Sequence, residues 1–215
     1  MGEAGSADSL QTASRVLESV GAMLTARADE LSALDAAMGD GDHGVSMVIA
    51  YRAVHEELTT HPAQSVAAFL RAVAAALMDS VGAAMGPLFS AAFDRAGRVL
   101  AEHPDADATV VAAMLEAARD GVVARGKGAV GEKTMIDALT PAAEAARSAA
   151  ESGSSIQGAL AAAAQAAMAG AESTKEMIAK RGRASRLGER TLGCQDPGAT
   201  SVALILETIS SSLAS

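Results

Sequence analysis

Apolar residues recur every three or four positions along most of this chain, the spacing that places them on one face of an α-helix. Two clear examples are the stretches from Leu10 to Leu24 and from Val45 to Leu58. Long alternating runs of β-branched residues, which are typical of strands, are missing, whereas the good helix formers alanine, leucine, methionine and glutamate recur throughout. The pattern predicts an all-α protein whose apolar helix faces form the core.

Prolines and glycines mark the predicted ends of the helices. These boundaries are His61-Pro62, Gly86-Pro87, His103-Pro104, Thr140-Pro141 and Asp196-Pro197-Gly198. Thr140 and Pro141 suit an N-cap and the first helical position. The predicted helices cover residues 8–27, 29–38, 44–60, 64–80, 87–102, 107–125, 133–150, 155–170, 172–181 and 198–213. Short connections favour antiparallel neighbours, so residues 1–215 are predicted to form one bundle domain.

Composition and charge narrow the class of protein. A net charge of −9, with scattered arginines and lysines, argues against nucleic acid as a partner. The first residues are acidic where a secretory signal needs a basic start, and the most apolar stretch, 158–171, is too short to span a bilayer. The single cysteine, Cys194, offers no disulfide framework. We therefore expect a cytoplasmic protein that does not bind membranes.

Three aspartates stand close together where the second predicted helix ends. Asp35 lies in the last turn of that helix, and Asp40 and Asp42 follow in a loop where glycines flank each aspartate. Glycine permits tight turns, so the three carboxylates can converge. They would repel one another without a cation, and Mg²⁺ prefers carboxylate oxygens while leaving positions for water and phosphate. The sequence predicts a magnesium site here.

Other interpretations of this loop remain open. A Gly-Asp-Gly-Asp tetrapeptide is also typical of a solvated turn that ends a helix. A calcium loop of the EF-hand type is disfavoured, because no glutamate stands at the twelfth loop position. The next helix begins near Val45, so its free N–H groups could face a phosphate. His43, beside the aspartates, is a candidate phosphate contact or general acid.

Residues 80–86 also cluster glycine with polar residues, and so do two later segments, 126–134 and 182–198. Residues 121–128 nearly match a nucleotide-binding phosphate loop, but the final Ser or Thr is missing and a helix precedes them instead of a strand. The second segment carries three arginines that could bind phosphate through bidentate hydrogen bonds. They are Arg183, Arg186 and Arg190. An ordinary surface loop is the alternative.

Residues 34–47, 131–141 and 182–201 together resemble the three signature segments of the dihydroxyacetone kinase L subunit family, in order and over nearly the whole chain. The resemblance implies an eight-helix antiparallel up-and-down barrel with a nucleotide site at one end. It also implies two Mg²⁺ ions on Asp35, Asp40 and Asp42. The implied contacts with ADP or ATP are His43, Gly44, Val45, Ser46, Ala84, Met85, Gly126, Met135, Arg183, Asp196, Pro197 and Gly198.

The resemblance further implies a kinase subunit that is inactive alone and delivers a phosphoryl group to a triose or related sugar held on a separate K subunit. Catalysis would rest on positioning and on charge neutralisation by the magnesium site, with no covalent catalyst in this chain. The donor would be exchanging ATP, or bound ADP rephosphorylated by an M-type protein of the phosphotransferase system. A homodimer is left open.

Three positions depart from the family pattern. Met85 stands where a phosphate-facing serine is usual, Glu132 replaces a usual aspartate, and Ser46 replaces a common asparagine. Two other functions therefore stay open. One is the L-like domain of fatty acid kinases, and the other is a non-catalytic L-like module that binds nucleotide and regulates a partner.

Overall fold

The computed structural model describes residues 3–80, 85–103 and 105–214, with the side chains of residues 3–6 excepted. Within these ranges the α-helices are α1 (Glu3–Ala26), α2 (Ala28–Ala36), α3 (His43–Thr60), α4 (Val66–Ser80), α5 (Met85–Glu102), α6 (Ala108–Gly126), α7 (Ile136–Glu151), α8 (Ile156–Ser173) and α9 (Pro197–Ala214). Two 3-10 segments, Thr174–Glu176 and Arg183–Thr191, precede α9. The described residues contain no strand, and the predicted all-α class is confirmed.

The eight longer helices form a closed ring. Each helix from α3 to α8 packs against the next one along the chain, and α1 packs against both α9 and α3. The short helix α2 contacts α3 and α9. Most of the connections are short, and consecutive helices of the ring run in opposite directions, as in an up-and-down bundle. The predicted antiparallel barrel of eight helices is therefore confirmed, with α2 as a small addition to it.

Small residues allow the helices to pack closely. In α7 and α8, seven alanines are fully buried: Ala138, Ala142, Ala143, Ala146, Ala159, Ala163 and Ala167. A Cβ atom added to Gly170 would lie 2.3 Å from the carbonyl oxygen of Asp137, so α8 lies directly against the backbone of α7 there. Helix α9 is buried over eight successive residues, 199–206, because it contacts α1, α2, α7 and α8.

Two predicted boundaries were wrong. Thr140 and Pro141 do not start a helix, since α7 begins at Ile136 and includes Pro141. The helix predicted over 172–181 does not form. Instead α8 continues to Ser173, and Met177 has extended backbone angles, φ −102° and ψ 147°. The reason is tertiary: the backbone N–H groups of Ala179 and Lys180 donate to Thr191 Oγ1 and the Glu132 carbonyl, not to a helical partner.

Because successive helices of the ring run in alternating directions, three of the described connections lie at the same end of the ring. These are residues 37–42, 127–135 and 174–196. Residues 61–65 and 152–155 lie at the opposite end, with the described part of the connection between α5 and α6. Among the described helices, none combines the length and apolar character needed to cross a bilayer. The glycine-rich segments 39–46, 126–134 and 182–198 thus meet at one end, while residues 81–84 of the segment 80–86 lie outside the described residues.

Candidate functional site

Asp35, Asp40 and Asp42 form the carboxylate cluster at this end of the ring. Each offers a carboxylate oxygen, and the three oxygens lie within 4.8 Å of one another. The turn between them needs Gly41, whose φ is +77°, and the Asp42 N–H donates to Asp35 Oδ2 at 3.0 Å. Asp40 and Asp42 are exposed. Three converging, accessible carboxylates suit a hard divalent cation such as Mg²⁺.

A cationic side chain from a distant part of the chain meets this cluster. The guanidinium of Arg183 forms an ion pair with Asp40 Oδ2. Arg183 belongs to residues 175–193, which we call the arginine loop. This loop leaves the end of α8 and returns shortly before α9. The structure therefore brings the carboxylate cluster and the polar segment 182–198 into direct contact.

His43 is the first residue of α3 and connects that helix to α9. Its Nε2 is 2.8 Å from Ser201 Oγ, and its ring also hydrogen-bonds the Pro197 carbonyl. Burial lowers the pKa of His43, while the carboxylates of Asp35 and Asp42 act in the opposite direction. The net lowering means that the neutral ring predominates at pH 7. His43 thus fixes the start of α3 relative to the start of α9.

The first turn of α3 is held close to α2. A Cβ atom added to Gly44 would lie 1.9 Å from the Ala28 carbonyl oxygen, so only glycine fits there. Val45 is 57% exposed and Ser46 is half-buried, so both are accessible beside the carboxylate cluster. The start of this helix also carries the positive end of its dipole, which favours an anion.

The connection between α6 and α7 is organised by Asp137, which the sequence reasoning missed. Its carboxylate is buried and accepts hydrogen bonds from the N–H groups of Gly131 at 2.5 Å and Thr134 at 2.8 Å. Thr134 Oγ1 in turn accepts from the Ile136 N–H at 3.2 Å. The side chains of Thr134 and Asp137 thus bond backbone N–H groups around the start of α7, and Thr-x-x-Asp in the sequence was the signal that could have revealed this.

Lys133 was also missed, and nothing in the local sequence signals its burial. Its side chain is only 3% exposed, and its backbone has φ +61°, which is unusual for a non-glycine residue. The ammonium group donates to the carbonyl oxygens of Thr174 at 2.6 Å and Cys194 at 2.5 Å. Burial lowers the pKa of Lys133, although Asp196 and Asp137 oppose this.

Asp196 caps the start of α9. Its Oδ2 accepts from the Ala199 N–H at 2.8 Å, and its own N–H donates to Thr174 Oγ1 at 2.9 Å. Burial raises the pKa of Asp196 to about 7, although the bond from Ala199 and the charge of Lys133 act against the rise. Pro197 follows as the first residue of α9, where its missing N–H costs nothing.

The remaining predicted contacts lie at the same end, and one cannot be placed. Met135 is buried, and a Cβ atom added to Gly198 would lie 3.6 Å from its Cβ. Gly126 ends α6 beside Leu88 of α5. Met85, the first residue of α5, is partly buried and packs against the core. Ala84 lies outside the described residues.

Comparison with known proteins places most of the chain in the family that its sequence segments resemble. A family model described as the DAK2 domain matches residues 37–211. The chain is 37% identical over 189 residues to the PEP-dependent dihydroxyacetone kinase, ADP-binding subunit DhaL, of Escherichia coli K12, covering 88% of this chain and 90% of that protein. The corresponding subunit of dihydroxyacetone kinase 2 from Listeria innocua is 35% identical over 198 residues, with 90% of each chain covered.

Solved structures agree on the fold. The native crystal structure of the dihydroxyacetone kinase of C. freundii matches with a TM-score of 0.72 at 30% identity. Its complex with AMP-PNP and Mg²⁺ matches with a TM-score of 0.66 at 29% identity. Each match covers 92% of this chain but 33% of the other, so this chain spans about a third of that enzyme's length. The chain therefore belongs to the DAK2 domain family, as a kinase subunit of the dihydroxyacetone kinase L type.

Proposed function

We propose that this chain is the nucleotide-holding subunit of a dihydroxyacetone-type kinase, with ADP or ATP bound at the carboxylate cluster through two Mg²⁺ ions. The observation that carries the proposal is the convergence of three carboxylate oxygens within 4.8 Å, beside the start of α3. On a chain of net charge −9, nucleotide phosphates need such a cation-mediated site.

Each part of the site has a proposed task. Asp35, Asp40 and Asp42 hold the metal ions, which when bound neutralise the phosphate oxygens during transfer. The first turn of α3, from His43 to Ser46, faces the phosphates, with the N–H groups of its first three residues as donors, since the Ser46 N–H already donates to the Asp42 carbonyl. Arg183 leaves Asp40 when metal binds and pairs with phosphate instead, since a guanidinium binds either anion. The other ligand contacts proposed for the nucleotide are Ala84, Met85, Gly126, Met135, Asp196, Pro197 and Gly198.

The sugar acceptor is proposed to lie on another protein. The described residues of this chain form the helical ring and its end loops, and the matched relatives from Escherichia coli and Listeria innocua are named as subunits. A separate K-type subunit would hold the triose or related sugar. An M-type phosphotransferase protein, or free ATP, would supply the phosphoryl group. The cytoplasm is the proposed location, and residues 1–215 are proposed to act as one domain.

Calorimetric titration of ADP and ATP, with and without Mg²⁺, tests the proposal. We expect binding that requires Mg²⁺ and is weakened at least about a hundredfold in Asp40→Ala, because a metal ligand is lost. Asp105→Ala is the matched control, since Asp105 is an exposed aspartate at the opposite end of the ring. Nucleotide binding that ignores Mg²⁺, or is equally weak in both variants, would contradict the proposal. Bound ADP that resists exchange would identify the phosphotransferase route.

A further inference from the structure

Lys133 connects two points that lie far apart along the chain. Its ammonium group donates to the carbonyl of Thr174, just beyond the end of α8, and to the carbonyl of Cys194, just before α9. These two residues flank the arginine loop. One buried side chain from the connection between α6 and α7 therefore closes the base of this loop.

Three other bonds join the two sides of the base. The Gly193 N–H donates to the Lys175 carbonyl at 2.8 Å, and the Asp196 N–H donates to Thr174 Oγ1 at 2.9 Å, both between neutral groups. Gln195 Nε2 donates to the Glu172 carboxylate at 2.5 Å, but in an exposed position where water competes. Lys133 instead makes two charge-assisted bonds from a buried position, where such bonds are stronger than in water. Without them the Thr174 carbonyl keeps only the Met177 N–H as donor.

Glu132, the neighbour of Lys133, holds the middle of the loop. Its carboxylate accepts from Arg181 Nε at 2.6 Å, and its carbonyl accepts from the Lys180 N–H at 3.1 Å. The Arg181 guanidinium lowers the pKa of Glu132, which keeps the carboxylate charged. Arg183 stands two residues further on and reaches Asp40. Lys133 and Glu132 thus hold the base and the middle of the arginine loop, and Arg183 joins the loop to the carboxylate cluster.

The backbone of Lys133 supports a dedicated role. A lysine with φ +61° is strained by about 1 kcal/mol or more relative to ordinary backbone regions. Glycine would relieve that strain but has no side chain to reach Thr174 and Cys194. The bonds of the ammonium group therefore offset the strain of the conformation that presents it.

We propose that Lys133 is a positioning residue, a buried clasp that fixes the arginine loop so that Arg183 is presented to the carboxylate cluster. The effect of Lys133 on anion binding rests on the proposed nucleotide function, but its effect on the order of the arginine loop does not. Without the clasp, the loop base opens while the helical ring stays folded. Arg183 then samples many positions, and anions at the cluster lose their guanidinium partner.

Hydrogen–deuterium exchange of the nucleotide-free protein tests the clasp directly. In Lys133→Met, which keeps the length of the side chain but removes its donors, we expect amides of residues 177–193 to exchange at least about tenfold faster, with α4 and α5 unchanged. Lys133→Gln, which retains an N–H donor on a shorter chain, should give a smaller increase and serves as the test variant if Lys133→Met folds poorly. Lys180→Met, an exposed lysine of the same loop, is the matched control.

Nucleotide affinity then separates positioning from general support. We expect Lys133→Met and Arg183→Gln each to weaken Mg²⁺–ADP binding about tenfold, and the double variant to be no weaker than the weaker single one, because both act through Arg183. The clasp proposal would be overturned if the two substitutions had multiplicative effects on Mg²⁺–ADP affinity, or if amide exchange in Lys133→Met were faster evenly over the whole ring. If the wild-type protein binds no nucleotide, the proposed function fails, while the exchange data still judge the clasp.

Discussion

Asp196 offers a test at the scale of a single ionisable group. Its carboxyl has a pKa of about 7 in the folded protein, mainly through burial, against an ordinary value of 3.8. Between these two values the folded protein binds more protons than the unfolded chain does. The contribution of Asp196 to the free energy of unfolding therefore falls as pH rises from about 4 to about 7.

Asp196→Asn should remove this pH dependence, because the amide resembles the protonated acid at every pH. We expect the stability of wild type relative to the variant to drop by about 2–4 kcal/mol as pH rises from 4 to 7, measured by urea unfolding at several pH values. Asp105→Asn, exposed at the opposite end, should show no such change. A constant difference between wild type and Asp196→Asn would show that the carboxyl titrates normally.

Single residues also show where sequence reasoning succeeds. The carboxylates of Asp35, Asp40 and Asp42 could be predicted to converge because they are close in sequence and separated by glycines. Lys133 could not be predicted, because its two carbonyl partners lie 41 and 61 residues away. Local spacing carries information about neighbours along the chain, but not about which loops a fold brings together.

At the scale of helices, the contact between α2 and α3 depends on Gly44. The added methyl group of Gly44→Ala would lie 1.9 Å from the Ala28 carbonyl, which a helix backbone cannot give way to cheaply. The gain in helix propensity, up to about 1 kcal/mol, is smaller than the usual cost of overpacking. We expect a net loss of about 2 kcal/mol, or roughly 4–8 °C in Tm by calorimetry.

Gly158→Ala is the matched control for this substitution. Gly158 also lies in the first turn of a helix, α8, where an added methyl group would meet Ser154 Cβ at 3.1 Å, a contact that a small shift relieves. This variant should be close to neutral or slightly stabilising. Equal losses in the two variants would mean that the approach of α2 to α3 is not what requires glycine.

Helix ends show the limit of prediction at this scale. The hydrophobic period located all eight long helices, because each buries one face in the ring. The segment 172–181 has helix-forming composition, yet its N–H groups bond to Glu132 and Thr191, so long-range bonds overrode local propensity. Pro141 lies within α7 because the helix already begins at Ile136, where the side chains of Thr134 and Asp137 bond backbone N–H groups.

For the whole molecule, closure of the ring by α1 against α9 and α3 joins residues near both ends of the described chain. No local pattern predicts that contact; the family resemblance supplied it. Closure gathers the three polar connections at one end, so ligand binding there should stabilise the entire fold and not a single helix. The carboxylates of the cluster add repulsion to a chain of net charge −9 when no cation is bound.

Thermal unfolding should therefore depend on Mg²⁺ and nucleotide together. At ligand concentrations near a hundredfold above Kd, linkage predicts about 2.7 kcal/mol of added stability. For a chain of this size that corresponds to a rise in Tm of about 5–10 °C. NaCl at matched ionic strength should give little of this rise, because screening does not replace coordination. Asp40→Asn should lose the rise and Asp105→Asn should keep it. An equal rise with NaCl would mean that general screening, and no specific metal site, stabilises the ring.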